Sequence, residues 1–88
     1  LIDLATGSGK QPFQIREIVV PESSSITGQS LKQLSLGSRF GVIVIGIKPT
    51  GKAMQFNPSA DTAINNGDVL ITVGHEDKFQ VLEHFLGT

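Results

Sequence analysis

The sequence predicts an α+β domain: a single small sheet of about four strands with two helices, in the order β-α-β-β-β-α. Three observations predict it. Val42 to Ile47 is continuously apolar, as a strand core requires. Two turn signals, Pro49-Thr50-Gly51 and Asn66-Gly67-Asp68, separate it from further β-type runs. From His75 to Leu86 the apolar residues change to helical spacing. At 88 residues there is room for one domain only.

The elements follow in order. Leu1 to Gln11 starts apolar and turns Gly/Ser-rich. Residues 1–12 therefore read as a linker, or as the frayed tail of an upstream element, and residues 13–88 as the domain. Phe13 to Val20 (FQIREIVV) is rich in β-branched residues, partly alternating, and stopped by Pro21, which marks a first strand. Next, Thr27 is expected to cap a short helix through its hydroxyl, with Leu31 and Leu34 on its inner face and Gly37 at its end. The run from Val42 to Ile47 is the second strand. It is apolar at every position from Val42 to Ile45 and predicts cover on both faces. Ala53 to Phe56 returns as its hairpin partner, and Val69 to Val73 forms the fourth strand, ended by Gly74. In the last helix Phe79, Leu82 and Leu86 share one face, with Val81 and Phe85 beside it. Glu76 and Asp77 sit in its first turn, where they suit the helix dipole, and Gly87 stops it.

Composition excludes several classes. The chain has no cysteine, hence no disulfide framework and no thiolate metal site. A net charge of −1 provides no field for nucleic acid. No apolar run approaches the ~20 residues of a membrane span, so direct membrane insertion is not expected. The chain begins at Leu1 and reads as a piece of a longer protein. A domain of this size buries only about 60–65% of its unfolded surface. A second copy is expected to supply part of the missing cover, so the sequence predicts a homodimer.

The search for chemistry yields little. Gly7-Ser8-Gly9-Lys10 looks like part of a phosphate loop, but Leu4 stands where the leading Gly belongs. Gln11 replaces the magnesium-binding hydroxyl residue, and Pro12 precludes the helix that should follow. Lys10 is thus assigned no phosphate role. His75 and His84 are nine apart, about two and a half helical turns, and face opposite ways. Asp61 and Asp68 share one loop and form a candidate acid–base or divalent-cation pair. The competing reading is that Asp68, after Gly67, makes turn hydrogen bonds, and it is the stronger one. Glu22 to Ser25 has no His or Lys tied to it by sequence. An enzyme is not expected.

A set of residues in fixed order runs through the chain: Ser25-Ile26-x-Gly28-x-x-Leu31, Leu34, Gly41 to Lys48, Gly51, Pro58, Asp61, Gly67-Asp68-x-Leu70 and Gly74. The set resembles the TrkA-C family, the C-terminal lobe of the RCK (regulator of potassium conductance) module, over residues 13–86. The resemblance implies a cytoplasmic regulatory domain at the inner face of the membrane. Its implied partners are a second copy, an RCK N-lobe and the channel or transporter subunit of the parent protein. It also implies that a small effector binds between two lobes and biases a gate. No cofactor is evident. A small anionic or nucleotide effector, or a divalent cation, is the expected ligand. The family cleft maps to Arg39–Ile43 and Asn57–Asp61, which makes Arg39 the anchor, Asn57 a donor and acceptor, and Ile43 an apolar floor. Members that resemble cyclic di-AMP receptors carry Arg and Asn where this chain has Gly37 and Ile43, which argues against that effector here. Two alternatives remain open: a regulatory insert in a carrier of another solute, such as a dicarboxylate, and a purely structural dimerisation module.

Overall fold

The computed structural model describes the backbone of residues 2–4 and the whole of residues 12–88. The Gly9-Lys10 stretch lies outside the described residues. Strand β1 is Ile2–Leu4, β2 is Phe13–Val19, β3 is Gln29–Ser30, and two short helices follow, α1 at Leu31–Leu34 and α2 at Leu36–Phe40. Then come β4 at Ile43–Lys48, β5 at Gln55–Phe56, β6 at Ala63–Ile64, β7 at Val69–His75 and α3 at Glu76–Leu86. The main sheet has the order β1-β2-β7-β4-β5, every pairing antiparallel, with β7 in the middle. The α+β class and the order of its principal elements are those the sequence predicts.

One face of the sheet carries the core. Strand β7 alternates strictly: Leu70, Thr72 and Gly74 are buried, while Val69, Ile71, Val73 and His75 are only partly covered. Ile18, Val42 and Ile47 of the flanking segments join Leu70 on the inner side, against Phe79, Leu82 and Leu86 of α3. The spacing in the last helix thus places the residues it predicts at zero exposure. Val81 departs from the expectation and is 54% exposed, because it lies on the far side of the stripe. Gly74 does not end β7. It sits inside the strand at a close approach, where an added Cβ would stand 3.3 Å from Val42 Cγ2 and 3.6 Å from the Phe79 ring.

The short helix differs from its prediction in both ends and in continuity. Its cap is Ser30, not Thr27: Ser30 Oγ accepts from the Gln33 N–H (3.1 Å), and the Gln33 side chain accepts from the Ser30 N–H (2.9 Å). This reciprocal pair satisfies donors that Thr27, three residues earlier, cannot reach. The next orphan donors, Leu31 N–H and Lys32 N–H, go to the carbonyls of Thr62 and Ala60. The helix then breaks at Ser35, which adopts φ 52°. Leu34 and Leu36 are both buried, yet in one helix they would point about 200° apart. The left-handed residue between them turns the chain so that both reach the core. Gly37 lies inside α2, and the left-handed terminator is Gly41 at φ 65°.

Strand β4 also departs from expectation. It is covered on one face only, and Ile43 is 61% exposed. A β-bulge between Val44 and Gly46 inserts Ile45, so that Val44 pairs with Thr72 and Gly46 with Ile71. The bulge reconciles Val42, Val44 and Ile47, at mismatched parity, with a single inner face. Its hairpin partner is shorter than Ala53–Phe56, since only Gln55 and Phe56 pair, with Ile47 and Gly46. The turn itself holds as predicted: Lys52 N–H donates to the Pro49 carbonyl (3.1 Å), and Gly51 has φ 72°. A second ribbon, β3 with β6, was not foreseen; two-residue strands carry too little pattern to be recognised.

Candidate functional site

An open apolar groove of about 250 Å³ lies between the α1–α2 corner and β4. Leu31 and Leu36 form its helical wall, Val42 and Val44 its strand wall, and Gly37 and Ile43 line it between them. The break at Ser35 makes the groove, because it splays α2 from α1 and leaves Gly37 without a side chain at the opening. Such a space is below the roughly 300–1,000 Å³ of a self-sufficient ligand pocket. It falls just short of that range.

Of the residues the sequence nominates, Ile43 lines this groove. Arg39 stands outside the lining, at the end of α2. Its guanidinium carbon is 4.5 Å from the Phe85 ring centre and 5.1 Å from that of Phe40, and Nη1 donates to the Leu34 carbonyl (3.4 Å). The two rings are themselves 5.3 Å apart and tilted by 38°. Most of the five donors of Arg39 stay free on this aromatic shelf. Asn57 is exposed, adopts φ 51°, and donates its backbone N–H to the Ile45 carbonyl (2.8 Å) on the open side of β4. It follows the edge strand β5 and is not a lining residue. The groove is therefore built by Ile43 and Val42, both within the predicted Arg39–Ile43 segment, with Leu31, Leu36, Gly37 and Val44, four residues outside the predicted cleft. Their only signal is the Leu-Ser-Leu string at 34–36, which is legible once the helix is known to break there.

Asp61 and Asp68 have different surroundings. Asp68 is 4% exposed, and its carboxylate accepts the N–H of Asn65 (2.9 Å) and of Thr50 (3.4 Å). It staples two turns together, the role its position after Gly67 favours. Asp61 is exposed, and among the described residues no three His, Cys, Asp or Glu side chains gather to hold a metal ion. His75 precedes α3 as its cap residue, with its ring 4.4 Å from that of Phe13.

An ion cluster not predicted from the sequence lies under α3. Arg16 of β2 pairs with Glu76 and with Glu83 (3.2 Å), while its guanidinium carbon lies 4.7 Å from the Phe79 ring centre. The hydrogen bond that Arg16 donates to the Glu76 carboxylate is the main reason the Arg16 pKa is raised above its ordinary value. Glu76 and Glu83 are seven apart and so on one helix face, which is the sequence signal; that Arg16 meets them depends on pairing β2 beside β7.

Comparison with known proteins agrees with this architecture. The model of the TrkA-C domain matches residues 15–87. An uncharacterized transporter of Rhodopirellula baltica is 36% identical over 72 residues, which is 82% of this chain and 13% of that protein. A probable potassium channel protein of Methanocaldococcus jannaschii is 25% identical over 85 residues, 97% of this chain and 24% of that protein. The chain thus spans less than a quarter of the length of these curated relatives. Among solved structures, the RCK_C domain dimer of S. agalactiae BusR in complex with c-di-AMP superposes with a TM-score of 0.75 at 28% identity, covering 82% of this chain and 93% of that one. The RCK C domain of the potassium transport protein KtrA, also in complex with c-di-AMP, gives 0.73 at 29% identity, covering 82% and 81%. Among the described residues, no helix is long and apolar enough to cross a membrane.

Proposed function

Because the chain belongs to the TrkA-C domain family, we propose that it is the effector-sensing lobe of a larger membrane transport protein, acting on the cytoplasmic side. Two copies associate, a small polar or anionic effector binds between them, and its binding biases potassium transport. The observation that carries this reading is the small, open apolar groove with exposed Ile43 on its lip. A groove this open encloses a ligand only when a second surface closes it. Arg39, held on its aromatic shelf at the end of α2, supplies a fixed cation near the groove for a phosphate or carboxylate. Asn57, on the open side of β4, offers a donor and an acceptor. An effector shifts the gate only by its difference in affinity for the two arrangements of the lobes, and a cleft between protomers has that property by construction.

Solved relatives in complex with c-di-AMP make cyclic dinucleotides the first class to test, although Gly37 and Ile43 remove the Arg and Asn that its receptors resemble each other in carrying. The 36% identity to an uncharacterized transporter, whose name states no solute, keeps a second reading in view, in which the regulated protein is a carrier of another solute. The test is calorimetric titration of wild type and Arg39→Ala with cyclic dinucleotides, mononucleotides, NAD and calcium. Saturable binding of an anion, weakened about ten-fold or more in Arg39→Ala, is expected for a lost charge-assisted contact. Absence of binding by every class, with the dimer intact, leaves a structural dimerisation module.

A further inference from the structure

The chain holds three asparagines, and one of them, Asn66, is followed by glycine. An Asn-Gly pair is chemically labile. Once the Gly67 amide gives up its proton, its nitrogen bonds to Asn66 Cγ, the Cγ–Nδ2 bond breaks, and the amide group leaves as ammonia with a proton restored to it. Water then opens the resulting succinimide ring to aspartate or isoaspartate. The sequence is an addition, an elimination and a hydrolysis, with no oxidant or reductant. Glycine is the most permissive follower, because no side chain hinders the approach and its backbone turns freely. The other two asparagines lack this arrangement. Asn57 precedes Pro58, which has no N–H to give up, and Asn65 precedes a bulkier residue, Asn66.

The fold needs both members of the labile pair. Gly67 has φ 87°, and a Cβ on it would stand 2.8 Å from Glu22 Oε2 and 2.9 Å from Thr50 Oγ1. Asn66 Nδ2 donates to the Glu22 carbonyl (2.6 Å) and so joins the turn to the segment after β2. The same contacts restrain every atom of the reaction. The Gly67 N–H, whose proton must be lost, donates to the Val20 carbonyl (2.8 Å), and the Val20 N–H donates to the Asp68 carbonyl (2.9 Å). The amide that must leave is tied to Glu22. The oxyanion of the addition step would develop on Asn66 Oδ1, which is buried without a hydrogen-bond partner among the described residues. A charge developing there meets no donor to stabilise it.

We propose that Asn66 is a latent deamidation site, closed in the folded domain and open only when residues 20–22 part from the Asn66-Gly67 turn. The product disfavours closure. Aspartate at this position sets a carboxylate oxygen against the Glu22 carbonyl where the Nδ2 donor stood, and it adds a charge beside the carboxylates of Glu22 and Asp68. Isoaspartate inserts a methylene into the backbone at the Gly67–Val20 hydrogen bond. Deamidation therefore marks chains that have opened at this corner.

The test is peptide mapping by mass spectrometry of the chain held at mildly alkaline pH, in native buffer and in urea above its unfolding midpoint. In urea, Asn66 is expected to convert well ahead of Asn57 and Asn65, which serve as internal references. In native buffer its conversion is expected to be about a hundred-fold slower or more, since only the opened fraction reacts. Conversion within about three-fold of the urea rate would show that the folded corner does not close the site, and it overturns the proposal. Conversion of Asn66 no faster than that of Asn65 in urea overturns it as well. Asn66→Ala removes the donor, and Asn66→Asp also adds the charge of the product. Wild type is expected to melt highest and Asn66→Asp lowest, and an Asn66→Asp chain too unstable to fold agrees with that order. An Asn66→Asp chain that melts at or above Asn66→Ala overturns the claim that the product disfavours closure.

Discussion

Arg39 and Phe85 are stacked, the guanidinium carbon 4.5 Å from the ring centre, and the contact joins α2 to α3. It also holds a cation in place beside a groove otherwise made of hydrocarbon. An exposed contact of this type contributes about 0.5–1 kcal/mol. Arg39→Ala and Phe85→Leu, measured singly and together by urea denaturation, are expected to show a coupling free energy of that size, ~0.5–1 kcal/mol. Strictly additive effects would mean that the arginine is not held by the ring.

The Arg16 cluster ties β2 to both ends of α3 through Glu76 and Glu83. Arg16→Met keeps most of the stem against Phe79 and removes the charge. The expected loss is ~1–2 kcal/mol in low salt, the sum of two half-exposed pairs and a cation–π contact. At about 1 M salt, where the Debye length falls to ~3 Å, the loss should shrink by roughly half. Since the Arg16 pKa is raised on folding, the stability linked to its proton is fully present below its unfolded value and is lost only as pH climbs through the still higher folded value. Denaturation between neutral and mildly alkaline pH should therefore leave the Arg16→Met difference unchanged.

Asp68→Ala strips two backbone N–H groups of their acceptor at a buried position. The expected cost is about 2–3 kcal/mol, because each donor is left with its desolvation penalty. Calcium at millimolar concentration should leave the wild-type melting temperature unchanged. A calcium-dependent rise abolished by Asp68→Ala would show that the carboxylate serves a cation and not two turns.

How far the sequence could be read follows from the range of the interactions involved. Strand β7, its Asn66-Gly67 turn and α3 are encoded locally, by alternation, turn chemistry and a helical stripe, and each appears where it was expected except that β7 runs on through Gly74 to His75. The break at Ser35 is not local in that sense. Serine has no preference for a left-handed backbone, and what imposes φ 52° is the joint burial of Leu34 and Leu36 in a core that only the folded sheet provides. The bulge at Ile45 escaped for the same reason. Six apolar residues in a row hide the parity change that separates a flat strand from a bulged one. The groove inherits both of these non-local decisions, so its lining could not be listed from the chain alone. Ile43 was reached only through family resemblance. Arg39 was nominated as an anchor through the same resemblance, and its aromatic shelf requires knowing that α3 packs against α2.

The bulge divides β4 into halves with separate obligations. Downstream, Gly46 and Ile47 are tied to β5 and to the core. Upstream, Ile43 faces solvent, as does Gly37 across the groove, and these are the two positions where the chain departs from the cyclic di-AMP pattern. Substitution at either meets few neighbours and disturbs little of the folding free energy. Under the sensing role proposed above, such a domain would exchange one effector for another by substitution at two exposed positions, while the core that holds the fold stays under independent constraint.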